Sequence, residues 1–143
     1  RHKTMSADYL LLAHGLVEGG FGLLNLLSGV MGSQVLFPGD TVPAATSRTL
    51  MAGEVWSCSI MALGLTALSA AWQPVSVRRP VVAGALLYHA LLALGSVRRL
   101  SQGMITMGLD AEDPSQGVAT VVTHGVFAAA FVWWLLRHRR DGL

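Results

Sequence analysis

Long apolar runs separated by shorter polar links dominate the sequence. Four such runs cover approximately residues 9–31, 49–72, 81–97 and 118–136. A transmembrane helix needs roughly 17 to 25 mainly apolar residues, and these runs lack the period-two alternation of strands. The pattern therefore predicts an all-α membrane protein, in which residues 1–143 form a single domain, a four-transmembrane-helix bundle.

The links contain residues that break helices. A Pro-Gly pair at 38–39 predicts a turn, Gln73-Pro74 ends the second run, and Asp113-Pro114 precedes the fourth. Arg78-Arg79-Pro80 and Arg98-Arg99 border the short third run. These positions give the predicted ends of the helices.

Composition agrees with a membrane setting. Hydrophobic residues make up 52% of the chain and charged residues 13%, whereas soluble domains carry about 25% charged residues. Mean hydropathy is +0.53. The net charge of +2 is too small to indicate binding to nucleic-acid phosphates. The expected partners are therefore membrane lipids and a hydrophobic small molecule or lipid substrate, with no nucleic acid.

The distribution of basic residues predicts the orientation. Four spans place both termini and the link between the second and third runs on one side. Without residues 1–4, that side carries five arginines, whereas the other side carries three, Arg48, Arg98 and Arg99. Because basic residues concentrate in cytoplasmic links, we expect a multi-pass integral membrane protein with both termini in the cytoplasm.

Several polar residues interrupt the apolar runs. They are His14, Glu18, Asn25, Glu54, Tyr88, His89 and His124. Ionisable groups are costly in hydrocarbon, so they face a bundle interior and mark function. His14 and Glu18 are four residues apart on one helix face, and Asn25 continues that stripe.

These residues predict acid–base chemistry in the membrane. With a rise of about 1.5 Å per residue, Glu18, Glu54, His89 and His124 fall at similar depths, so four helices would bring them to one pocket. Carboxylates and a histidine there serve as acid and base: Glu54 would protonate an alkene or epoxide, and Glu18 with His14 would steady the carbocation. The predicted catalytic residues are Glu18, Glu54 and His14, and the predicted substrate-binding residues are Asn25, Trp56, His89, His124 and Tyr88.

The run His14-Gly-Leu-Val-Glu18-Gly19 resembles a segment of the emopamil-binding protein family of sterol isomerases, which share the four-helix EXPERA domain with the sigma-two receptor. Gly53-Glu54-Val55 occupies the place of that family's second glutamate. The resemblance implies that His14, Glu18 and Glu54 protonate a ring alkene, hold the cation and remove a different proton. It also implies an endoplasmic-reticulum location in a eukaryote. A smaller or linear terpenoid cyclised through a carbocation fits the residues equally.

Other functions remain open at this point. A non-catalytic lipid-binding or scaffold protein would have the same helices. The polar residues include zinc and di-iron ligand types, but the Glu-x-x-His pairs of helical carboxylate sites are missing from the sequence. A b-type haem between two membrane histidines and a small transporter are further alternatives. The leading interpretation requires no cofactor and no metal.

Glycines in the first run predict close helix packing. Gly15 and Gly19 form a small-xxx-small pair, and Gly22 follows on the same side. Such residues allow membrane helices to approach closely. From them we predict self-association, as a homodimer.

Overall fold

A computed structural model describes residues 7–31, 47–101 and 114–139 of the protein. Over these ranges every element is an α helix. They are α1 (Tyr9–Met31), α2 (Ser47–Ala70), α3 (Val75–Ser101) and α4 (Pro114–Arg137). The prediction of an all-α chain is confirmed for this part of the sequence.

Among the described residues, three stretches are long and apolar enough to cross a membrane, namely Tyr9–Leu27, Val75–Arg98 and Val118–Arg137. The apolar stretch described in α2, Val55–Ala70, is shorter. As predicted, α1, α3 and α4 are therefore long and apolar enough to cross a membrane, while a fourth span stays a prediction.

The chain divides into two compact units. The first, Arg1–Gln73, contains α1 and α2, and the second, Pro74–Leu143, contains α3 and α4. Each unit is an antiparallel pair of helices. That all four helices form one domain stays a prediction.

A capping aspartate joins the ends of the first pair. The Asp8 carboxylate accepts hydrogen bonds from the backbone N–H groups of Leu10 and Leu11, each at 3.2 Å, as an N-cap residue does. The Asp8 N–H donates to the Ala71 carbonyl at 2.8 Å. The start of α1 is therefore fixed against the residue that follows α2.

Glycines bring α1 and α2 into backbone contact. A Cβ atom on Gly64 would lie 2.6 Å from the Gly19 Cα and 2.9 Å from the Gly15 carbonyl oxygen. A Cβ on Gly22 would lie 2.7 Å from the Met61 backbone nitrogen. The predicted close packing at these glycines therefore occurs between two helices of the same chain. A homodimer stays a prediction, and its interface would have to involve other residues than these glycines.

The helix α3 is longer than the apolar run predicted for it. It runs from Val75 to Ser101 and includes Pro80, so it extends beyond both borders of residues 81–97. The Arg79 side chain in this extension binds the end of α4. One of its terminal nitrogens donates to the carbonyls of His138 and Arg139 at 3.3 and 2.9 Å. The apolar run marks the hydrocarbon-length segment, whereas the helix extends beyond it.

The distribution of polar and apolar residues is typical of a membrane protein. Exposed stripes of large apolar side chains recur at helical spacing, as in Leu87, Leu91 and Leu94 on α3. Buried positions include ionisable residues, such as Glu18 at 5% exposure. Exposed hydroxyls on α2 bond within the helix, as where Ser59 donates to the Val55 carbonyl at 2.7 Å. Such a surface suits lipid, which offers no hydrogen-bond partners.

Candidate functional site

The first unit contains a buried polar stripe on α1. His14 has no exposed surface and Glu18 is 5% exposed, whereas Asn25 is half-buried. At about 100° per residue the three lie within roughly 40° of one another around the helix axis. The glycines that contact α2 lie roughly 90° away from this stripe. The helix therefore has one face for packing and a neighbouring face for polar groups.

Asn25 contributes a donor that the surrounding protein does not use. Its amide nitrogen is buried and has no hydrogen-bond partner among the described residues. Leaving a buried polar group unpaired costs about 1–3 kcal/mol, so such a group calls for an acceptor from outside the helix pair. The role of Asn25 in ligand binding stays a prediction.

The second unit contains a histidine pair. The Nδ1 atoms of His89 on α3 and His124 on α4 are 2.7 Å apart, a hydrogen-bond distance. His89 has no exposed surface, and His124 is half-buried. Both residues are predicted from the sequence as site residues, and the structure brings them together across the two helices.

Aromatic rings surround this pair. Phe127 stacks on the His89 imidazole with ring centroids 4.9 Å apart, and Phe131 stacks on it at 5.8 Å. The Tyr88 ring meets His124 edge-on at 6.0 Å. Two π faces therefore lie against the His89 imidazole, and such faces attract a positive charge when it is present.

Phe127 and Phe131 belong to this site but were not predicted from the sequence. The sequence contains the pattern that indicates them: His124, Phe127 and Phe131 are spaced three and four residues apart and therefore share one face of α4. The scarcity of aromatic residues, 7% of the chain, concealed their concentration around one histidine.

Other predicted site residues lie elsewhere. Trp56 on α2 meets Phe21 edge-on, with ring centroids 5.8 Å apart. Glu54 belongs to α2, but its side chain lies outside the described residues. The predicted pocket shared by all four helices stays a prediction. In the first unit, the structure places His14, Glu18 and Asn25 on one face of α1. In the second unit, it places Tyr88, His89 and His124 between α3 and α4.

Compared with family models, curated proteins and solved structures, the chain finds no match.

Proposed function

We propose that this protein is a membrane-embedded enzyme that isomerises or cyclises an isoprenoid or sterol-like lipid by acid–base chemistry through a carbocation. The observation that carries this proposal is the burial of His14 and Glu18 on one face of α1, a helix long and apolar enough to cross a membrane. Burying ionisable groups there is costly and is retained where they act.

In this proposal Glu54 donates the proton, and Glu18 with His14 steadies the cation and accepts the returning proton. A carboxyl group can protonate an alkene carbon, and the resulting carboxylate steadies the cation. A base then removes a proton from a different carbon, so the double bond moves, and transfer of that proton from the base back to the carboxylate restores the acid. Glu54, one helix further along the chain, is the second carboxyl group that the reaction needs. The resemblance to the emopamil-binding protein family supports these assignments.

The unpaired Asn25 amide supports a lipid-sized substrate. Asn25 and Glu18 are seven residues apart, which is about 10 Å along a helix. A substrate oxygen that accepts from Asn25 would therefore lie about that far from the reacting double bond. A sterol or isoprenoid alcohol has this form, with one oxygen and a long hydrocarbon body.

We further propose that all four helices cross the membrane as one bundle, with both termini in the cytoplasm, and that two copies associate. The internal hydrogen bonds of the α2 hydroxyls support a span there. The arginines near the start of α3 and the end of α4 support the orientation, because basic residues favour the cytoplasmic side.

A lipid-conversion assay tests the proposed function. The full-length protein is purified in mild detergent, and its bound lipids are extracted and identified by mass spectrometry. The recovered isoprenoid is then returned to the protein, and chromatography follows its conversion to an isomer. We expect Glu18→Gln and Glu54→Gln each to lower turnover by about 10²- to 10⁴-fold, as loss of a proton donor or acceptor does.

A matched substitution on the same helix is the control. Leu16 is exposed on α1, so Leu16→Gln adds the same amide away from the polar stripe and should retain turnover. If Glu18→Gln turns over lipid at the wild-type rate, the acid–base proposal is wrong. Bound isoprenoid without any conversion by wild-type protein would instead favour a lipid-binding protein.

A further inference from the structure

We propose that His89 and His124 form a two-histidine proton relay from the buried His89 on α3 to the half-buried His124 on α4. The observations are the 2.7 Å separation of their Nδ1 atoms and their unequal exposure. This proposal does not rest on the proposed function, because such a relay would operate in a binding protein as well as in an enzyme.

The short distance requires a shared hydrogen. Two nitrogen lone pairs repel at 2.7 Å, as do two N–H groups. One ring therefore donates through Nδ1 and the other accepts through Nδ1. Two nitrogens bound tetrahedrally to zinc, each at about 2.0–2.1 Å, would lie about 3.3 Å apart. The geometry thus fits a proton between the rings better than a metal ion.

The relay step moves one proton through the pair. The donating ring starts with hydrogen on Nδ1, and the accepting ring starts with hydrogen on Nε2. A proton from a hydronium ion adds to Nε2 of the donating ring and leaves water behind, and the Nδ1 hydrogen crosses to the other ring. That ring then releases the proton from its own Nε2 to a water molecule. One proton has entered and one has left, and the exchanged tautomers are set for transfer in the opposite direction.

The neighbouring aromatic rings favour the charged intermediate of this step. A passing proton makes one imidazole an imidazolium inside an apolar helix pair. The Phe127 ring lies nearly parallel to His89, at an interplanar angle of 17°, and the negative π face of an aromatic ring attracts a cation. The same rings hold His89 in position, so the Nδ1 atoms remain aligned.

Nuclear magnetic resonance tests the relay directly. The full-length protein is labelled with ¹⁵N-histidine and placed in lipid nanodiscs. We expect one hydrogen signal coupled to the Nδ1 nuclei of both His89 and His124. On transfer to D₂O, the His89 ring hydrogens should exchange about a hundredfold faster in wild-type protein than in His124→Gln, because proton-transfer groups contribute 10²–10⁴-fold to such steps.

Two controls separate the relay from general loosening of the fold. His138 bonds through Nδ1 to the Trp134 carbonyl at 3.0 Å, so His138→Gln should leave the shared signal and the exchange rate unchanged. Wild-type protein itself decides the outcome if His124→Gln fails to fold. Two uncoupled rings in wild-type protein, or a shared hydrogen that exchanges no faster than backbone amides in the same helices, would overturn the relay. Metal copurifying at one equivalent with wild-type protein, and lost in His89→Gln, would also overturn it.

Discussion

The contact between α1 and α2 predicts an asymmetric response to two glycine substitutions. In Gly64→Ala, the new methyl group would press on the Gly19 backbone, with the Gly19 Cα at 2.6 Å. In Gly19→Ala, the methyl group would lie 3.8 Å from the Gly64 Cα, an ordinary van der Waals contact. The same chemical change should therefore disrupt the pair at one position and be tolerated at the other.

The magnitude follows from the geometry. Carbon atoms pack at about 3.5–4.0 Å, so Gly64→Ala would force the helices apart by about 1 Å. Overpacking costs about 1–3 kcal/mol. The cost here should lie at the upper end of that range, because the methyl group would meet backbone atoms, which cannot move aside as a side chain can. Alanine recovers about 1 kcal/mol of helix propensity. The expected net loss for Gly64→Ala is about 2 kcal/mol, whereas Gly19→Ala should be neutral or slightly stabilising.

Thermal unfolding in detergent, followed by circular dichroism, measures the difference. A loss of about 2 kcal/mol lowers the midpoint by roughly 10 °C in a unit of this size. A Cβ atom on Gly84 would meet no neighbouring atom within 4 Å, so Gly84→Ala is a control in α3 whose midpoint should not fall. A midpoint for Gly64→Ala at or above that of Gly19→Ala would refute the backbone contact.

Three further predictions use the same unfolding assay. Asp8→Ala removes the cap of α1 and should cost about 1 kcal/mol, while Asp8→Asn should retain most of that stability. Arg79→Met removes two hydrogen bonds to the end of α4 and should cost about 1–2 kcal/mol, and an unchanged midpoint would show that these bonds contribute nothing. Trp134 is 2% exposed and Trp133 is 56% exposed, so Trp134→Ala should cost about 3–5 kcal/mol and Trp133→Ala much less; equal losses would contradict this assignment of the core.

The sequence predicts the positions of the helices well, because each apolar run is long enough to fold as one element. Its predicted range for α1, residues 9–31, agrees with the observed helix. The extension of α3 to Val75 was not predictable from hydropathy, because it lies outside the apolar run, and the sequence does not show that Arg79 there donates to carbonyl groups at the end of α4. Local apolarity cannot reveal a partner so distant along the chain.

The sequence indicates which residue types form the candidate site, but it does not indicate which of those residues contact one another. The spacing of His14 and Glu18 correctly indicated a buried face of α1. The pairing of His89 with His124 depends on the register between α3 and α4, which no single helix specifies. Gly64 was missed for the same reason, since a glycine is recognised as a packing residue only when the backbone opposite it is known.

Deuterium incorporation tests the proposed isomerase or cyclase most directly. Wild-type protein and Glu18→Gln are incubated in D₂O with the lipid extract of their own membranes, and all lipids are compared by mass spectrometry. Protonation of an alkene followed by loss of a different hydrogen should give an isoprenoid product one mass unit heavier with wild-type protein and not with Glu18→Gln. If folded wild-type protein yields no deuterated lipid, or if Glu18→Gln yields the same amount, the proposed acid–base enzyme is contradicted.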